Sequence, residues 1–140
     1  MNNERKQKAE QIINKHIFWA MAATAIPIPV IDTVNLIFIQ VDMLRNLTKL
    51  YEIDFNENFG KTIVSTIITS STATGVAILF RKNKLISRIS MSLLSGALTY
   101  ALGRVFLSNF EKGVKSLIDI DLKEAEELFD ENFERGQEEL

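Results

Sequence analysis

No cysteine occurs in the 140 residues, and histidine and tryptophan occur once each. Without thiols there is neither a disulfide framework nor thiolate chemistry. A histidine-based metal or catalytic centre would have to recruit acids from positions far from His16, and no spacing of acids suggests one. His16 therefore reads as a helix-packing residue. Proline is also scarce. Its two copies, Pro27 and Pro29, stand two residues apart in Ala25-Ile26-Pro27-Ile28-Pro29-Val30-Ile31-Asp32. Proline fixes φ, removes a donor and holds the preceding residue extended, so a helix must stop near Ala25 and another begin near Val30 or Ile31. No stretch alternates as a strand requires, although residues 62–72 are rich in β-branched side chains.

What remains is helical in pattern. Residues 3–24 form a first predicted helix, charged at its start and apolar on nearly every side from Ile12 onward. Residues 31–52 form a second, with Asn35, Asp42, Asn46 and Lys49 in a thin polar stripe and apolar residues over the rest. Such a helix must be surrounded by other helices or by lipid. A third is expected from Asp54 or Asn56, as N-cap, to about Phe80, then a basic turn Arg81-Lys82-Asn83-Lys84, then a fourth helix to Glu111 with Gly113 as its C-cap. Asp119 or Asp121 caps a last helix whose apolar residues are Leu122, Ala125, Phe129 and Phe133. The expectation is all-α: a single five-helix domain, 1–140, with a central apolar helix (about 31–52), a helical hairpin (about 56–111) and an acidic C-terminal helix.

Charge divides the chain. The net charge is −2 with a mean hydropathy of +0.07. Residues 119–140 carry ten acids and two bases, a net of −8, so the remainder carries +6. Residues 1–16 are a charged helix start, 17–118 an apolar body and 119–140 an acidic end. The amino-terminal MNNERKQKAEQ is too polar for a signal peptide, so export by that route is not expected. Residues 62–80 hold no charge over 19 positions, about 28 Å of helix, but eight of them are Ser or Thr. Either this segment and 89–103 form a membrane hairpin, or the chain lies on a surface with Arg81, Lys82, Lys84 and Arg88 against anionic headgroups. The positive-inside tendency opposes translocating that basic turn from cytoplasmic ends and favours the surface arrangement.

Gly60-Lys61-Thr62 ends like a phosphate-binding loop, but position 55 is Phe rather than Gly and no strand precedes it. No catalytic residue, metal ligand or cofactor is expected. Two polar residues flank the proline turn: Asp32, placed to cap the second helix, and Gln40, opposite the polar stripe and expected to clamp carbonyls of the Ile26–Pro29 loop.

The stretches AIPIPVIDTVNLIFIQVDMLRNLTKLY and GALTYALGRVFLSNFEKG, with the acidic segment ending DENFERG, resemble the domain-of-unknown-function family 697. The pattern is carried by Pro27, Pro29, Asp32, Gln40, Met43, Thr99, Tyr100, Gly103, Phe110, Gly113, Phe133 and Gly136. The proline–aspartate turn is also similar to that of EcsC-like proteins. The resemblance implies an all-helical bacterial domain, frequent association with the inner membrane and a working link to Era-like GTPases. These 140 residues hold no GTPase domain, so a GTPase partner is expected in trans. The functional expectation is a non-enzymatic domain at the cytoplasmic face of the inner membrane or in the cytoplasm, contacting a GTPase and an anionic membrane surface. The alternative is a soluble structural module that forms homo-oligomers. Nucleic acid is not among the expected partners.

Overall fold

A computed structural model describes residues 2–25, 33–70 and 88–139, with side chains over 3–24, 36–70 and 92–137. Its elements are five helices, α1 (Asn2–Ala25), α2 (Thr33–Leu50), α3 (Glu57–Ser70), α4 (Arg88–Glu111) and α5 (Leu122–Glu139), with a short 3-10 turn at Leu117–Asp119. The all-α, single-domain expectation holds. Pro27, Pro29 and Asp32 lie outside the described residues, as do Arg81, Lys82 and Lys84. Arg88 opens α4 with only its backbone described. The join between α3 and α4, on which the predicted hairpin depends, is likewise outside them.

Local chemistry sets the helix ends. Asn56 caps α3, its Oδ1 accepting from the Phe59 N–H at 2.9 Å, whereas the backbone of Asp54 pairs with that of Ser116. Asp121 caps α5 by accepting from the N–H groups of Lys123 and Glu124 at 3.0 and 3.2 Å. After α4, the Val114 N–H reaches Asn109 O and the Gly113 N–H reaches Phe110 O, a Schellman closure with Gly113 at φ 101°. The same two bonds close α2, from Ile53 to Thr48 O and from Glu52 to Lys49 O. Here the left-handed position is filled by Glu52 at φ 57°, a residue type that rarely adopts it.

Two helices organise the core. α2 touches α1, α3 and α4, as its thin polar stripe required, while α4 makes the most extensive packing, with α1 on one side and α5 on the other. α4 is buried on almost every face from Leu94 to Phe110. Close approach is set by glycine at two points. A Cβ on Gly103 would sit 2.9 Å from Ile13 of α1, and one on Gly136 of α5 would sit 3.2 Å from the Ala97 Cα. Ile13, Met43, Leu44, Leu47, Leu102, Phe106 and Phe129 fill the centre.

Candidate interaction surface

The charge runs read singly along the chain come together in the fold. Residues 17–25, 33–41, 62–70 and 89–103 contain no charged side chain. α1 and α2 are antiparallel, because His16 bonds Asp42; α3 runs back along α2, because Gly60 meets Leu44 and Lys61 lies over Phe38. The start of α4 meets the end of α1 through Ser92 and Ser95. All four uncharged segments therefore gather at one end of the bundle. Lys15, Asp42, Lys61 and Arg104 are the last charges before it on their respective helices. Gly136 of α5 packs at the level of Ala97 and Tyr100, and α5 lies on the α4–α3 side.

Several polar side chains where α1 meets α4 are turned inward. Ser92 Oγ donates to Met21 O at 2.9 Å, Ser95 Oγ to Ala20 O at 3.1 Å, and Thr24 Oγ1 lies 2.9 Å from Ser95 Oγ. Gln40 is buried and its Nε2 donates to Thr99 Oγ1 at 2.8 Å, while Thr99 donates onward to Ser95 O. Its Oε1 has no partner among the described residues, and the Ile26–Pro29 carbonyls it was expected to clamp lie outside them. On α3, Thr62 and Thr69 return their hydroxyls to the carbonyls of Asn58 and Ser65 on their own helix. Tyr100 packs against Gly136 and lies under the Arg104 guanidinium, 5.2 Å from its ring centre. Arg104 in turn grips Glu10 of α1 with both terminal nitrogens.

At the boundary between the charged and uncharged ends sits a polar network. His16 is fully buried, with Nδ1 2.7 Å from Ile12 O and Nε2 2.7 Å from Asp42 Oδ2. Both partners are acceptors. The two contacts coexist only if each ring nitrogen carries hydrogen, or if the carboxyl group supplies the second proton. Asp42 also accepts from Arg45 at 2.9 Å and Asn46 at 3.2 Å, and Arg45 continues to Glu57 at 3.1 Å. With both nitrogens occupied, His16 is a clamp between α1 and α2 and presents no free lone pair to solvent. His16 is a helix-packing residue, as expected, and its partner Asp42 belongs to the thin polar stripe of α2.

Beside the clamp, large aromatics stand in solvent. Phe18 is 68% exposed, Phe38 50% and Trp19 41%. Trp19, Phe38, Ile39, Val41, Asp42 and Arg45 line an open groove of about 310 Å³ between α1 and α2. The Trp19 ring meets the His16 imidazole edge-on at 4.9 Å. Lys15 Nζ stands 4.7 Å over the Trp19 ring and Lys61 Nζ 5.3 Å over that of Phe38. Sequence reasoning assigned these aromatics to the apolar body and missed their exposure. The signal lay in Phe18-Trp19 following directly on the last charged turn of α1.

The remaining candidates carry less. Gly60 is buried against Phe55, and Lys61 is committed to Phe38, so Gly60-Lys61-Thr62 is the first turn of a helix rather than a phosphate loop. Among the described residues no three His, Asp or Glu side chains are grouped to hold a metal ion. Nor is any helix among them long and apolar enough to cross a membrane.

Comparison with known proteins agrees with this architecture at the family level. The chain is 27% identical over 138 residues to Magnetosome membrane protein 22 of Magnetospirillum gryphiswaldense, covering 92% of this chain and 70% of that one. No solved structure matches. Residues 1–130 match the family described as Domain of unknown function (DUF697), most of the sequence and all of α1 to α4. The resemblance carried by the proline turn and the Thr99–Gly113 segment thus extends over nearly the whole chain, which belongs to the DUF697 family.

Proposed function

We propose that this chain is a non-catalytic helical domain that docks on a bacterial membrane from its cytoplasmic side, through the uncharged end of its bundle. The observation that carries the reading is the alignment of four charge-free helix segments at one end, with the hydroxyls of Thr24, Thr62, Thr69, Ser92, Ser95 and Thr99 bonded inward or back onto their own helices. Polar atoms satisfied in this way tolerate an apolar surrounding; unsatisfied ones would not. Depth argues for docking rather than crossing. Nine residues of α1 or α2 span about 13 Å, under half of a hydrocarbon core of about 30 Å. The similar protein of M. gryphiswaldense bears the name of a membrane protein, which favours the same setting here.

The basic residues Arg81, Lys82, Lys84 and Arg88 remain proposed headgroup contacts on the strength of their sequence alone. A GTPase acting in trans is the partner that the family resemblance implies. Fractionation of native cells tests the docking reading. The protein is expected in the membrane fraction at low salt and in the supernatant after carbonate. Recovery in the soluble fraction at low salt would overturn docking, and resistance to carbonate would replace it with embedding. Self-association is a second reading, favoured by Ile118, which is 77% exposed beside Phe59 and Leu122. It predicts a dimer in lipid-free buffer by light scattering, and a monomer at micromolar concentration would remove it.

A further inference from the structure

We propose that the α1–α2 groove lies at the headgroup level of an anionic bilayer, with Trp19 and Phe38 entering the acyl boundary and the Lys15 and Lys61 ammonium groups meeting lipid phosphates. This rests on the docking reading and adds to it which surface faces lipid and at what depth.

Three observations carry it. First, Trp19 and Phe38 are large apolar groups left in water, and the former has an N–H that suits the wet side of an interface. Second, each ring is roofed by a lysine whose stem lies along apolar surface while its charge stays at the rim. Among the described residues neither ammonium is paired with a carboxylate, whereas nearby Arg45 is already held by Asp42 and Glu57. The groove thus offers two positive charges without a carboxylate partner among the described residues, at the line where the charged half of the bundle gives way to the uncharged half. Third, the acids of α5 lie on the α4–α3 side of the molecule. An anionic surface repels them, so the electrostatically favoured orientation turns the α1–α2 face toward lipid.

Trp19 is the only tryptophan, so its emission reports this surface without labelling. The full chain is mixed with phosphatidylcholine vesicles, with and without phosphatidylglycerol, and followed by co-sedimentation and fluorescence. With phosphatidylglycerol present, the Trp19 emission is expected to shift to the blue. Quenching should be strongest by lipids brominated near the headgroup end of the acyl chain. The double variant Lys15→Gln/Lys61→Gln should lower partitioning by roughly thirtyfold, from about 1 kcal/mol per basic residue at an anionic surface. Its thermal midpoint, and that of Phe38→Ser, should stay near that of the parent, because all three side chains are at the surface.

Co-sedimentation with unchanged Trp19 emission would overturn this assignment and leave docking standing on another surface. Absence of co-sedimentation on every vesicle would overturn both readings. An equal shift on pure phosphatidylcholine would overturn the attraction of Lys15 and Lys61 to a net anionic surface. A blue shift that grows with protein concentration in lipid-free buffer would assign the groove to a second copy of the chain instead.

Discussion

Asp42 gathers three donors onto one carboxylate, and they differ in what they stabilise. The bond to His16 is made inside the bundle, while those to Arg45 and Asn46 lie at its rim. Asp42→Ala leaves a buried imidazole nitrogen without a partner and should cost about 1–3 kcal/mol. Arg45→Ala removes only half-exposed ion pairs and should cost less than about 1 kcal/mol. Urea melts of the two variants separate these cases, and equal losses would remove the clamp from the argument. Tyr51 supplies a pH-dependent counterpart. Burial pushes its phenol above the ordinary 10.0, the Glu111 carboxylate adds to the rise, and the Arg5 guanidinium, 4.5 Å over the ring, opposes it. A raised phenol pKa favours the folded state below pH 10, and that contribution is lost as pH climbs through the folded value. The hydroxyl makes no hydrogen bond of normal geometry, although the Glu111 carboxylate is near enough to act on it, so Tyr51→Phe should change stability little near pH 7 and should flatten its loss above pH 10. Thermal midpoints from pH 8 to 11 check both halves. Neither Asp42 nor Tyr51 was legible in these roles, because their partners depend on the path of the chain. His16 and Asp42 stand thirteen positions either side of Pro29, and only an antiparallel pairing of α1 with α2 makes them level.

Element boundaries were far more legible, since caps act over three or four residues. Asn56, Asp121 and Gly113 were each readable from residue type and place, and the structure chooses among the alternatives by satisfying specific N–H groups. Glu52 was not readable as a left-handed C′ residue, because the signal there is normally Gly or Asn. Helix pairing was less legible: nothing in the sequence said which neighbour Gly103 or Ala97 would meet. The structure assigns Gly103 to Ile13 of α1 and Ala97 to Gly136 of α5. Gly103→Ala must displace Ile13, itself fully buried, and should cost about 1–3 kcal/mol. Pairing it with Ile13→Ala, which removes both Cγ atoms that the new methyl would meet, should cost less than the sum of the two single changes, which a double-mutant cycle measures directly. Gly113→Ala meets open space, so its cost should come from the positive φ alone, roughly 1–3 kcal/mol, and no change at Ile13 should rescue it.

For the whole molecule, the relevant quantity is the separation of charge from its absence along the bundle axis. Each uncharged run was visible in the sequence, but their convergence required the topology. If docking combines basic attraction with aromatic insertion, the two parts should respond differently to salt. Raising ionic strength from about 0.1 M to about 1 M shortens the screening length from about 10 Å to about 3 Å. Co-sedimentation with phosphatidylglycerol vesicles should fall but not vanish, the remainder being the part carried by Trp19, Phe38 and Phe18. Complete release would leave the aromatics no part in binding. The packing of α4 has its own consequence for motion. Its backbone is pressed by Ile13 at Gly103 and by Gly136 at Ala97, on two different faces. Neither α1 nor α5 can lift away without exposing that helix, yet either can leave while the other still shields one flank. Amide hydrogen exchange should therefore be slowest between Ala97 and Phe106, reached only by global opening, and the acidic α5 should exchange through a smaller, separate unfolding.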